Sequence, residues 1–245
     1  MIDLHSHILA DIDDGASTLD DSVAMLAEIS KQGVSTVLAT PHIHIGVFDN
    51  TLETIRASFT LLCERLQKEA LSITLGFAAE VRLCPEIITL LEQDKLPFLG
   101  SIAGKKLLLL EFPHTHIPPG SERFIDFLLA KNILPLIAHP ERNVEARELP
   151  QVLQPFIQRS CMFQITASSI LGQFGKESES LAWQLIASSP NVVVASDMHN
   201  MQKRAPRMEE AYRAVSSKFG ELRADELFVQ LPHRIISSNS SLVSF

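Results

Sequence analysis

The chain has 245 residues, of which 46% are hydrophobic, enough for one large α/β domain with a substantial core. Its formal net charge of -8 argues against non-specific nucleic-acid binding, which runs on Lys and Arg against phosphates. Three scattered cysteines, Cys63, Cys84 and Cys161, offer neither a disulfide framework nor a thiolate zinc site.

The chain opens Met-Ile-Asp-Leu-His, without the charged and apolar regions of a signal peptide. No apolar run approaches the roughly 20 residues that span a bilayer. The expectation is a soluble cytoplasmic protein. In chain order, strands are expected at Ile2–His5, Thr36–Thr40, Ile73–Ala79, Leu107–Glu111, Ile133–Ala138, Met162–Thr166 and Val192–Ser196. They are rich in Val, Ile, Leu and Ala, as strands buried on both faces are. Helices are expected between them. Thr18 caps one that carries Asp20 and Asp21 in its first turn. Leu52, Ile55, Phe59, Leu62 and Leu66 form the apolar stripe of a second, Pro85 fits the first turn of a third, and Met208, Ala211, Val215 and Phe219 mark another. Seven strand–helix units without a linker or repeat predict a single domain over residues 1–245, a distorted seven-stranded (β/α)7 TIM-like barrel. An open doubly wound sheet is the alternative.

Polar residues recur at the strand ends. The first strand runs into His5 and His7, the second reaches His42, and the third and fourth end at Glu80 and Glu111. The fifth ends at His139, and the seventh runs into Asp197 and His199. In a parallel barrel these ends meet at one rim. Buried imidazoles and carboxylates are costly unless paired or bound to metal. Their collection therefore points to a metal centre more strongly than any single HxH does. The cysteines do not support a thiol mechanism: Glu69, Leu90 and Ala167 stand where the cysteine-phosphatase signature needs an arginine.

The segments His5-Ser6-His7, Thr40-Pro41-His42, Ala79-Glu80-Val81-Arg82, Leu110-Glu111-Phe112, Ala138-His139-Pro140-Glu141-Arg142-Asn143 and Ser196-Asp197-Met198-His199-Asn200 resemble the polymerase-and-histidinol-phosphatase (PHP) superfamily. Within it, the opening Asp3-Leu4-His5-Ser6-His7 with Asp13-Asp14-Gly15 resembles the bacterial manganese-dependent protein-tyrosine phosphatases of capsule and exopolysaccharide operons. The resemblance covers Met1 to about Pro206. It implies three metal ions, Mn2+ with Fe2+ or Zn2+ as alternatives. His5, His7, Glu80 and Asp197 would hold the first. Glu80 would bridge to a second, completed by Glu111 and His139. Asp14, His42 and His199 would hold the third. Met198 departs from the small alanine usual in the family, and altered packing is expected there.

A mixture of imidazoles and carboxylates without thiolate independently suits Mn2+, Fe2+ or Zn2+. Three divalent ions offset by Asp14, Glu80, Glu111 and Asp197 leave a formal charge of about +2 to attract a phosphate dianion. Arg142 adds a planar donor fork for phosphoryl oxygens. The expected reaction is metal-assisted hydrolysis of a phosphomonoester, phosphotyrosine in protein, without a covalent phosphoenzyme. The general acid stays open between Asp197 and a metal-bound water. The partner the resemblance implies is a tyrosine autokinase with a tyrosine-rich tail. Alternatives are a small-molecule phosphatase such as one for histidinol phosphate, a phosphodiesterase or nuclease, and a non-catalytic kinase-binding module. Phe48 and Phe112 are expected in the core, the alternative being a pocket for an aromatic leaving group, and His44, His114 and His116 as solvated loop residues. Lys203, Arg204 and Arg207 form either a solvated face or a dock for an anionic peptide.

Overall fold

The computed structural model describes residues 1–245. Eleven strands are β1 (Ile2–Ser6), β2 (Thr36–Ala39), β3 (His42–Ile43), β4 (Thr74–Phe77), β5 (Glu80–Arg82), β6 (Gly100–Ile102), β7 (Lys105–Glu111), β8 (Ile133–Ala138), β9 (Met162–Thr166), β10 (Val192–Ala195) and β11 (Val243–Ser244). The parallel ladder β1-β2-β4 forms one sheet and β10-β9-β8-β7-β5-β3 the other. Two of the seven staves are split. The second continues from β2 into β3, and the third from β4 into β5. Pro41 lies at the first break, where it has no N–H for the ladder, although its carbonyl still accepts from Glu80 N at 3.1 Å. The barrel closes where β10 meets β1. Asp197 N donates to His5 O at 2.8 Å and His7 N to Met198 O at 2.9 Å.

Every expected strand is present, and the predicted barrel is the observed architecture. Antiparallel β6 and β11 are additions, pairing with β7 and β4 at the margins. The helices form where the periodicity places them. Leu19–Lys31 starts in a capping box between Thr18 and Asp21, and Leu52–Leu66 in another between Thr51 and Thr54. Leu52–Leu66 turns Ile55, Phe59, Leu62 and Leu66 into the core. The larger apolar cluster lies between barrel and helices, and the smaller, with Leu4, Leu38, Leu109 and Leu136, fills the barrel interior. No helix is long and apolar enough to cross a membrane.

Candidate metal centre

The register of β1 against β2 shifts between Asp3 and Ser6, and past Leu4, which points into the barrel interior, this irregularity turns His5 toward the rim. His7, just past β1, joins it on that side. His5 Nε2 lies 3.1 Å from His7 Nε2, 3.2 Å from Glu80 Oε2 and 3.4 Å from Asp197 Oδ1. His7 Nε2 lies 3.3 and 3.5 Å from the same two oxygens. Two ring nitrogens and two carboxylate oxygens thus surround one point, although they lie far apart in the sequence. All four residues are buried.

A second cluster adjoins the first. Asp14 Oδ1 lies 3.2 Å from His199 Nε2 and 3.4 Å from His42 Nε2. On the other side His139 Nε2 lies 2.8 Å from Glu80 Oε1. All nine residues singled out from the sequence as ligands therefore meet at one rim. One grouping differs from the partition that the resemblance implied. Compact donor sets place Glu111 with His42 and Glu80, and His139 with His5 and Asp197. Glu111 is held by Arg82, whose Nη2 donates to Oε1 at 3.0 Å and whose Nε lies 2.8 Å from Oε2.

The donor atoms fit metal ions. Buried His42 Nδ1, Glu80 Oε2, Asp197 Oδ1 and His199 Nε2 converge here without a hydrogen-bond partner. Native proteins rarely leave such atoms unsatisfied unless something else binds them. The opposite ring nitrogens are already engaged. His5 Nδ1 meets Gln164 Oε1 at 2.9 Å, His7 Nδ1 meets Asp13 Oδ2 at 2.7 Å, and His199 Nδ1 meets the Asp197 carbonyl at 3.0 Å. Such contacts fix the tautomer and aim the other nitrogen at the centre. Two residues of the cluster also have left-handed backbone, His139 (φ 28°) and Asp197 (φ 51°). For side chains other than glycine this is uncommon and concentrates at functional sites.

The electrostatics follow from crowding. Burial pushes the Asp197 carboxyl up, but the charges of Arg204, His5 and Arg142 outweigh it and hold the group well below the usual range. Glu111 is pushed up to about 7, first by burial and then by the charge on Glu80. His139 is lowered to about 4 by burial and Arg142, and His199 to about 4 by burial and His7. His5 and His7 shift the other way, His7 up to about 10, because the charges of the surrounding carboxylates outweigh burial, and a cation bound there would displace those protons. The cysteines are poor nucleophiles: burial pushes the Cys161 thiol up to about 12 and raises Cys63 and Cys84 as well.

Residue by residue, the structure also redistributes the secondary expectations. Arg142 pairs with Asp197 and its guanidinium lies 4.5 Å from the Phe174 ring centroid. Glu141 and Glu145 are occupied elsewhere, by Thr166 N and Ser169 Oγ and by Ile117 N respectively. Of the basic run, Arg204 turns into the site, with Nη2 2.7 Å from Asp197 Oδ2 and Nη1 3.5 Å from Asp14. Arg207 pairs with Glu210 and Lys203 is exposed. Phe112 is buried, but Phe48 is not a core residue: it stacks on His42, with rings 5.4 Å apart and 7° from parallel. Met198 is fully buried in the main core, which absorbs its bulk away from the donors. Sequence reading missed Asp13, Arg82 and Gln164. The signal for Gln164 was there: of the seven expected strands only Met162–Thr166 carries no candidate ligand at its end, and an amide interrupts its apolar run.

An α/β barrel with histidine and carboxylate donors gathered at the strand ends defines the class of metal-dependent hydrolase-like barrels. The chain matches the family model described as capsular polysaccharide synthesis, CpsB/CapC, over residues 1–237, and it belongs to that family. It is 37% identical to the tyrosine-protein phosphatase YwqE of Bacillus subtilis over 221 residues, 90% of this chain and 85% of that one. With the tyrosine-protein phosphatase CpsB of Streptococcus pneumoniae it shares 33% identity over 245 residues, 96% and 98% of the two chains. A solved structure from work on YwqE and CpsB, described as unique metal-dependent tyrosine phosphatases, aligns with TM-score 0.89 at 33% identity, covering 100% of this chain and 97% of that one. A lactonase of Listeria monocytogenes aligns with TM-score 0.54 at 11% identity, a likeness of fold alone.

Proposed function

We propose that this chain hydrolyses phosphotyrosine in proteins. The observation that carries the reading is the meeting of His5, His7, Glu80 and Asp197 around one point, with Arg142 and Arg204 beside it. Similarity to tyrosine phosphatases along nearly the whole chain supports it. His5, His7, Asp14, His42, Glu80, Glu111, His139, Asp197 and His199 would hold three divalent ions, Mn2+ by preference, with Fe2+ or Zn2+ as substitutes. Such ions, when bound, polarise phosphoryl oxygens and make hydroxide available near neutral pH.

The protein's own groups do the rest. Arg142 and Arg204 each touch Asp197 with only part of a guanidinium that has five N–H donors, leaving donors for phosphoryl oxygens. Asp197, held ionised, serves as a ligand. A phenolate leaving group with a pKa of about 10 needs less protonation than an alkoxide does. Gln164 and Asp13 keep His5 and His7 aimed. The partner would be a bacterial tyrosine autokinase with a tyrosine-rich tail, met in the cytoplasm, and capsule synthesis in the family's description supports that context. We take residues 1–245 as one functional domain, supported by an apolar cluster drawing members from Ile8 to Phe228.

The test is a substrate panel on Mn2+-loaded protein: phosphotyrosine peptide, phosphoserine peptide, histidinol phosphate and single-stranded DNA. Phosphotyrosine peptide is expected to be turned over best, and the activity to vanish with chelator. Preference for histidinol phosphate or DNA, or activity indifferent to chelation, would overturn the reading.

A further inference from the structure

Between His42 and the helix Leu52–Leu66 stands a tight hairpin that the chemistry above does not use. His44 N donates to Phe48 O at 3.0 Å, Phe48 N to His44 O at 2.8 Å and Val47 N to His44 O at 2.9 Å. Gly46 takes the positive φ of 82° that its turn requires, and its N–H donates to Asp49 Oδ1 at 2.7 Å. At the base, Asn50 Nδ2 donates to Ile12 O at 2.7 Å and to His42 O at 2.9 Å. Those bonds tie the hairpin to the segment carrying Asp13 and Asp14 and to a member of the centre itself. The element is therefore ordered before any ligand arrives.

Its residues are the wrong kind for a solvated turn. Ile45 is 41% exposed and Val47 60%, where turns ordinarily carry Asn, Asp, Gly or Ser. Phe48, partly exposed, belongs to neither apolar core and lies flat on the His42 imidazole. A rigid apolar finger rooted on His42 is continuous with the site and has no packing duty inside either apolar core.

We infer that the hairpin His44–Phe48 determines substrate specificity, Phe48 selecting an aromatic phosphoester and Ile45 with Val47 gripping an apolar side chain next to the phosphotyrosine in the peptide. This rests on the phosphotyrosine reading. An aromatic contact favours an aryl ester over an alkyl one, and the finger, already ordered, loses little entropy on binding. The tip carries no cation, which selects an apolar neighbour over an acidic one.

The experiment uses Mn2+-loaded full-length protein, with metal content measured in each sample. Wild type and Ile45→Ser/Val47→Ser are compared on two phosphotyrosine peptides that differ only in Leu or Ser beside the phosphotyrosine. Wild type should favour the Leu peptide in kcat/KM by roughly three- to tenfold, and the double variant should lose that preference. No preference in wild type, or one that survives in the variant, overturns the peptide grip. Phe48→Leu keeps apolar bulk over His42 but removes the ring. Its ratio of kcat/KM for phosphotyrosine over phosphoserine peptide should fall by roughly three- to tenfold at full metal content. An unchanged ratio, or a loss explained wholly by lost metal, overturns the aromatic role. A metal-loaded wild type that turns over phosphoserine as well as phosphotyrosine instead removes the parent reading.

Discussion

His5, His7 and His199 each offer one ring nitrogen to the centre because the other is spoken for. Asp13 Oδ2, 2.7 Å from His7 Nδ1, also accepts from His42 N at 3.1 Å, so one buried carboxylate positions two members of the cluster. Asp13→Ala should leave His7 free to rotate and weaken metal binding by roughly 10- to 100-fold. Competition with a fluorescent chelator measures this directly, and unchanged affinity would assign Asp13 a purely structural place. Arg142 carries a different expectation. Its partner is Asp197 and not the neighbouring glutamates, which on the proposed reading would put it within reach of the phosphoryl group. Arg142→Ala should keep its metal yet lose about 3 kcal/mol of transition-state stabilisation, roughly a hundredfold in kcat/KM. Arg142→Lys should recover only part, since a point charge cannot reproduce the fork. Near wild-type turnover in metallated Arg142→Ala would remove it from the site.

At the scale of elements, the loop from Asp11 to Ala16 shows how closely the backbone is fitted. A Cβ at Gly15 would fall 2.0 Å from His7 O and 2.5 Å from His7 Cβ. Gly15→Ala must therefore push the loop away from β1, carrying Asp13 and Asp14 with it, at a cost of about 1–3 kcal/mol. Thermal unfolding should show the loss, and metal titration should show weaker binding; a variant equal to wild type in both would mean that the loop yields freely. That close approach was not legible in the sequence, where Gly15 reads only as part of a motif. The strands were legible because each is a short apolar run buried on both sides, and the candidate ligands because polar residues stood at the ends of those runs. The break between β4 and β5 was not, since the apolar run Ile73–Ala79 passes through it, whereas Pro41 does mark the break between β2 and β3. Gly100–Ile102 and Val243–Ser244 escaped notice for another reason: they are two- and three-residue margins without a buried face of their own. Arg82 and Arg204 were hidden because a charged side chain's target depends on tertiary approach, not on sequence spacing.

For the whole molecule, the weak point is the seam between β10 and β1. Few hydrogen bonds cross it: Asp197 N to His5 O, His7 N to Met198 O, Ser196 N to the Asp3 carboxylate at 2.8 Å, and the Ser196 hydroxyl to the same carboxylate and to His5 O. The same seam has His5 and His7 on one side and Asp197 and His199 on the other, so ions held by these residues would staple the barrel shut. Without cations, buried Glu80, Glu111 and Asp197 repel one another, which is part of why Glu111 is driven upward. Metal loading should then stabilise the fold, not only activate it. A site filled at about a hundredfold over its dissociation constant contributes about 2.7 kcal/mol. For a chain of this size that raises the unfolding temperature by roughly 5–10 °C per site. Scanning calorimetry of chelated protein against a Mn2+ titration measures the increment, and Asp197→Asn should abolish most of it. Hydrogen exchange adds a local reading: the amides of His7 and Asp197 should exchange faster after chelation, while those of β7 and β8, opposite the seam, change least. Equal unfolding temperatures with and without metal, in samples whose metal content differs, would show that the ions act on the chemistry alone and that the seam holds without them.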